Sequence, residues 1–282
     1  ALKQMWTPFL EDMSKATGLK INGFFATDYA GIIEAQRFNK VQIAWYGNRS
    51  AMDAVDRANG EVFAQFVDLD GTPGYYSYVI THKDSGITSI EQVLKNGKQY
   101  SFGIGDPAST SGTLVPTYYV FTMNKLDPRT HFKVVRSSNH EGNFLAVLNR
   151  QVDVATSNSE MTEKAREKYP ERLEQIRILW KSPLIPRDPL VWRKDLPADV
   201  KKKVQDFVVG YGKDAREKEI LKNMYRLAGF KPSTDAQLIP IRQLELAKDR
   251  QKLVDDANLS EADRSARIAE IDARLAVLAR GM

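Results

Sequence analysis

"YSFGIGDPASTSGTLVP", residues 100–116, sets the class of fold. A short apolar run ending in glycine, "YSFGIG" (100–105), leads into a hydroxyl-rich loop and then into a helix-like stretch from about Thr113 to Asn124. Strand, loop and helix in that order form the repeating unit of α/β proteins, whose ligands sit where strands end and helices begin. Inside the loop, Ser109, Thr110 and Ser111 stand side by side between Gly105 and Gly112, with no lysine and no cysteine among them. Three hydroxyls in that place serve as a nucleophile, an oxyanion cradle or a helix cap.

The same alternation runs outward in both directions. Upstream, "LKINGFF" (19–25), "VQIAWYG" (41–47), "EVFAQFV" (61–67) and "YYSYVITH" (75–82) have strand character. Between them lie helical patterns at "YAGIIEAQRF", with Asp28 as its cap, and at "NRSAMDAVDRANG", and a turn at "DGTPG" (70–74). Downstream, strands "FKVVRSS", "VDVAT" and "IRILWK" alternate with helices "HEGNFLAVLNRQ" and "EMTEKAREKYPERL". Strands separated by helical crossovers predict largely parallel sheets. From "SPLIPRDPLVWRKDLP" (182–197) the chain crosses over and turns mainly helical. It ends on an amphipathic helix, capped by Ser260, whose Ile268, Ile271, Leu275 and Leu278 form a stripe fit either for its own domain or for a second chain. The opening "ALKQMWTPFLEDMSKATG" is helical, where a lobe of this pattern starts on a strand; residues ahead of Ala1 are expected.

Composition narrows the chemistry. The 282 residues, 42% hydrophobic and 27% charged, suffice for one large domain or two modest ones. No apolar stretch is long enough to span a membrane. The net charge of +5 is spread along the chain and reads first as a solvated surface, with nothing clustered for nucleic acid. The absence of cysteine removes disulfides, thiolate catalysis and cysteine–zinc sites. It fits a cytoplasmic chain or a bacterial envelope protein, and no signal peptide is visible.

The candidate residues are few. Unpartnered N–H groups at a helix start, together with hydroxyls, make an oxyanion site, and each charge-assisted bond there contributes about 1.5–3 kcal/mol. Capping alone needs one hydroxyl and leaves two unexplained. A P-loop is excluded, because Thr113 stands where its lysine would follow Gly112, and no G-x-S-x-G marks a hydrolase. Of His82, His131 and His140, the last opens a helix after a strand, as donor, base or cap. No spacing of ligands calls for a metal, and nothing calls for a cofactor. Glu160 and Asp188 stand at strand ends, and Tyr29 and Tyr75 near loops, each readable as solvated or packing residues. An anion cluster with two carboxylates points to a zwitterionic ligand.

Longer runs carry a more specific signal: "FFATDYAGIIEAQRFNKVQIAWYGNRSAMDAVDRANGEVFAQ" (24–65), "GDPASTSGTLVP" (105–116), "QVDVAT" (151–156) and "KSPLIPRDPLVWRK" (181–194). Through them nearly the whole chain resembles the periplasmic phosphonate-binding proteins of bacterial ABC importers, in particular those taking 2-aminoethylphosphonate. The resemblance implies a type II periplasmic binding protein: two α/β lobes hinged by two crossing strands, here near "YYSYVITH" and "SPLIPRDPLVW", with the ligand held between them. The implied lobes are 1–83 with 185–255, and 84–184, followed by a C-terminal helix at 256–282. It implies that Ser109, Thr110, Ser111 and His140 hold the phosphonate, that Glu160 and Asp188 receive the ammonium, and that Tyr29 and Tyr75 line the pocket. It further implies a first strand and loop that are not among these residues, a membrane permease as partner and a periplasmic location. A homodimer through the C-terminal helix is a further expectation. The rival readings are the same fold holding phosphate, phosphite or another phosphonate, and a hydrolase with a serine nucleophile and His140 as base.

Overall fold

The computed structural model describes residues 1–72 and 74–281. The chain divides into two compact units, Ala1–Tyr75 with Pro186–Gln237, and Tyr76–Ile185 with Leu238–Met282. It therefore passes between them at Tyr75/Tyr76, at Ile185/Pro186 and at Gln237/Leu238.

The first unit opens with α1 (Leu2–Thr17), stopped by Gly18 in the left-handed conformation at φ 70°. Next come α2 (Tyr29–Arg37), β1 (Ile43–Trp45), α3 (Asn48–Arg57), β2 (Gly60–Asp68) and β3 (Gly74–Tyr75). Asp28 caps α2 as expected, accepting from the Gly31 N–H at 2.8 Å. After the return through β9 (Ile185–Pro186) follow β10 (Pro189–Arg193), α9 (Ala198–Gly210), α10 (Ala215–Tyr225) and β11 (Leu227–Pro232). The sheet has the order β1-β10-β2-β11 and is antiparallel at every pairing. Its core is aromatic: Trp6, Phe9, Phe63, Phe66, Trp192 and Phe230 are buried together, with Phe63 and Trp192 stacked at 4.0 Å.

The second unit holds β4 (Ser77–His82), α4 (Ile90–Lys95), β5 (Ser101–Ile104), α5 (Pro128–His131), β6 (Val134–Ser137), α6 (His140–Leu148), β7 (Val154–Asn158), α7 (Ser159–Lys168), α8 (Pro170–Leu173) and β8 (Ile176–Lys181). Its sheet runs β6-β5-β7-β4-β8. Alternate residues of one strand feed opposite layers, as a period of two requires: Val79 packs with Phe102, Phe121 and Phe132, whereas Ile80 packs with Phe144, Val147 and Met161. The chain ends in a hairpin of α11 (Ile239–Asp255) and α12 (Glu261–Ala279), which Ser260 caps by accepting from the Asp263 N–H.

Five expectations change. Among the pairings described, β5 is parallel to β6 and to β7, whereas β4 is antiparallel to both of its neighbours. β4 and β10 each start within three residues of a crossing, so no helical crossover fixes their direction. "LKINGFF" forms no strand: Leu19 and Ile21 pack on the first core, but the segment pairs with no strand among the described residues. The boundary expected at residue 83 falls at Tyr75, because β4 is paired on both sides inside the second sheet. Residues 238–255, expected with the first lobe, group with the second unit, where α11 packs on α12 and on the turn at Thr122–Asn124. The apolar stripe of α12 is spent in this hairpin: Ile271 is buried, Ile268, Leu275 and Leu278 are half-buried, and Asp272 pairs with Arg250 at 2.8 Å. It does not call for a second chain. The turn expected at "DGTPG" includes Pro73, outside the described residues; Gly71 beside it has φ 76°.

Phe102 is fully buried, stacked on Phe132 at 4.3 Å and edge-on to Phe121 at 5.5 Å. Phe102→Ala is expected to destabilise the second unit by about 3–5 kcal/mol in denaturant unfolding.

Candidate functional site

The loop "GDPASTSG" closes on itself through its two glycines. The Gly105 N–H donates to the Gly112 carbonyl at 2.9 Å, and a Cβ on Gly105 would lie 2.7 Å from the Gly112 backbone. A Cβ on Gly112 would meet Ser109 Oγ at 2.9 Å and Gly105 Cα at 3.1 Å. No side chain fits at either place without moving backbone. The following turn, Thr110–Leu114, is π-helical, with the Leu114 N–H reaching back to the Ser109 carbonyl at 3.0 Å.

Pro116 explains how this wide turn is used. Lacking an N–H, it offers no donor to the preceding turn. Two carbonyls of that turn accept from side chains of neighbouring strands: Ser77 Oγ donates to the Ser111 carbonyl at 2.6 Å, and Thr156 Oγ1 donates at 2.8 Å to that of Gly112, which also takes the Gly105 N–H. The loop is thus riveted to β4, β5 and β7. Ser109 is the cap, accepting from the Gly112 N–H at 3.0 Å. One hydroxyl therefore serves the helix, and the other two have different surroundings.

Ser111 Oγ accepts from Asn158 Nδ2 at 3.1 Å and lies 3.4 Å from His140 Nε2. Asn158 and His140 themselves mark helix starts. Asn158 caps α7 by accepting from Met161 N–H, and His140 is the first residue of α6, which Asn139 caps through Gly142 N–H. β5, β6 and β7 run parallel, so their carboxyl ends share one edge of the sheet. The starts of three helical segments meet there, bringing hydroxyl, amide and imidazole groups together with the favourable ends of helix dipoles. Ser109, Thr110 and Ser111 are all buried. Glu160, half-buried, sits in the first turn of α7, two residues beyond Asn158. Burial pushes the His140 pKa down from 6.5 to about 4, so its ring is neutral at pH 7.

The remaining candidates belong to the first unit. Tyr29, half-buried, is the first residue of α2. Asp188, 5% exposed, accepts from the Trp45 indole N–H at 2.9 Å. Tyr75 is buried, and the Arg187 guanidinium lies 5.8 Å from its ring centre and 5.6 Å from that of Phe66. Arg187 pairs with Asp68 at 3.1 Å. Asn158, Trp45 and Arg187 escaped the sequence reading. An asparagine between a strand and a helical run is a legible cap, but its second bond, to Ser111, depends on the fold. Among the described residues no group of three metal-ligating side chains gathers.

Residues 1–238 match the family of ABC-transporter periplasmic substrate-binding proteins for phosphonate. The chain belongs to that family. It is 53% identical over 274 residues to the phosphonates-binding periplasmic protein of Escherichia coli, covering 97% of this chain and 80% of that protein. It is 52% identical to the crystal structure of a binding-protein component of an ABC phosphonate transporter from Pseudomonas aeruginosa. The TM-score there is 0.96, over 99% of this chain and 92% of that one. A Prochlorococcus marinus protein solved with methylphosphonate shares the fold at a TM-score of 0.76 and 22% identity, over 88% and 93% of the two chains. The fold is the two-lobe periplasmic binding protein fold, with mixed α/β sheets. As a family member the protein is the substrate-binding component of a phosphonate ABC importer and not an enzyme, which sets aside the serine-nucleophile reading. The hairpin of α11 and α12 lies beyond the matched residues.

The depressed His140 pKa has a fixed sign in stability. As pH falls, the unfolded chain takes the proton first, near pH 6.5, and the folded protein only near 4. Stability present above pH 6.5 is therefore lost toward pH 4. The urea midpoint of the unliganded protein is expected to fall further across that window than that of His140→Gln.

Proposed function

We propose that this phosphonate-binding protein takes phosphonates bearing an amine, 2-aminoethylphosphonate above all, and delivers them in the periplasm to its membrane permease. The observation that supports this most is the set of neutral donors at three helix starts, centred on Ser111 with Asn158 and His140. Ser109, Thr110, Ser111 and His140 are assigned to the phosphonate oxygens. Asp188 and Glu160 are assigned to the ammonium, and Tyr29 and Tyr75 to the short carbon chain.

Charge explains the pairing of roles. A carboxylate near a bound dianion repels it unless a cation lies with the ligand. At 4–6 Å and an effective dielectric of 20, each carboxylate–ammonium contact contributes about 3–4 kcal/mol. The same carboxylates count against phosphate and phosphite, which carry no cation. A chain built for those anions alone would have no use for Asp188 and Glu160.

Titration calorimetry with 2-aminoethylphosphonate, methylphosphonate and phosphate tests the assignment. The amine ligand is expected to bind at least about 100-fold tighter than the other two, as about 2.7 kcal/mol of selective contact provides. Asp188→Asn and Glu160→Gln are each expected to narrow that gap, by weakening the amine ligand and by relieving the repulsion that methylphosphonate meets. Similar affinities for all three ligands would leave the anion donors in place and remove the role given to the carboxylates.

A further inference from the structure

We propose that Trp45 is the positioning residue behind the preference for an amine: its indole N–H holds the Asp188 carboxylate in the orientation that receives the ammonium. The inference rests on the reading of Asp188 given above. Its own support is geometric. Trp45 Nε1 donates to Asp188 Oδ2 at 2.9 Å, and Asp188 is 5% exposed, so the bond is shielded from water. A hydrogen bond to a carboxylate is charge-assisted, so it holds that oxygen firmly.

The indole is itself immobilised. Trp45 stacks on Trp6 at 5.8 Å and on Phe66 at 5.9 Å, and lies 4.9 Å from the ring of Tyr225. Those rings belong to the buried core of the first unit or pack against it. The direction of the N–H is therefore set by the core and not by the ligand. The backbone on both sides of Asp188 is tied as well. Gln237 donates to the Arg187 carbonyl at 2.6 Å and to Asn48 Oδ1 at 3.0 Å, Asn48 donates to the Pro186 carbonyl at 2.7 Å, and β10 pairs from Pro189 onward. With the backbone and one carboxylate oxygen both held, Asp188 presents a fixed charge. Without the indole that oxygen would lose its fixed direction, and part of the ammonium's attraction would be lost to reorienting it.

Trp45→Phe keeps an aromatic ring in the stack and removes the donor. It is expected to weaken 2-aminoethylphosphonate binding about 10–100-fold, the loss of one hydrogen bond to a charged group, and to leave methylphosphonate nearly unchanged. In an Asp188→Asn background the same change is expected to cost nothing further against the amine ligand. Equal losses for both ligands, or none, would overturn the proposal. If Asp188→Asn leaves the preference for the amine intact, the reading of Asp188 fails and this one with it. If Asp188→Asn erases the preference while Trp45→Phe preserves it, this proposal alone fails. Should Trp45→Phe not fold, the unaltered protein carries the test. With four tryptophans, it has four indole N–H resonances. That of Trp45 is expected to shift on adding 2-aminoethylphosphonate and to stay in place with methylphosphonate; equal shifts with both, or none with either, would contradict it.

Discussion

The contact between Gly105 and Gly112 is the constraint on which the second unit's edge depends. A hydrogen bond of 2.9 Å between the two backbones, with no room for a Cβ on either, forces the eight-residue loop shut. The next turn is π-helical, and β4 and β7 hold its Ser111 and Gly112 carbonyls through Ser77 and Thr156. A loop fixed at both ends by strands holds its three hydroxyls without help from a ligand. Pre-ordered donors bind an oxyanion at a smaller entropic cost than mobile ones.

The donors on this edge are neutral. Hydroxyls, amides and a histidine held uncharged by burial face the place where a lysine or arginine would have given stronger attraction. On the proposed reading that restraint has a reason. A permanent cation on this edge would pair with Glu160 in the first turn of α7, cancelling a charge that selects the amine. The two ends of the zwitterion are thus read by different physics: hydrogen bonds from helix starts for one, carboxylate charge in shielded surroundings for the other.

Much of this was legible in the chain. The strand–loop–helix reading of residues 100–116 located the edge, and Asp28 and Ser260 act as the caps their positions suggested. That Ser109, Ser111 and His140 fall at starts of helical segments was legible because polar residues between a strand and a helix are the usual caps. What escaped was what depends on partners distant in sequence. The apolar pattern of "LKINGFF" does not record that the segment packs on the core without pairing among the described residues, and strand direction at β4 and β10 depends on crossings that periodicity does not record. The stripe on α12 fitted two partners equally, and only the packing on α11 chose between them. Trp45 lies in the strand-like run "VQIAWYG" and packs against the core; its bond to an aspartate 143 positions away depends on the fold.

The central claim is that the three helix starts at the carboxyl edge of β5, β6 and β7 hold the oxyanion. Backbone amide resonances followed while methylphosphonate is added test it most directly, because that ligand carries the anion and no amine. The largest shifts are expected at residues 109–112, 140–141 and 159–160, with the His140 ring shifting alongside them. Binding accompanied by shifts concentrated elsewhere, with these amides unmoved, would contradict the account.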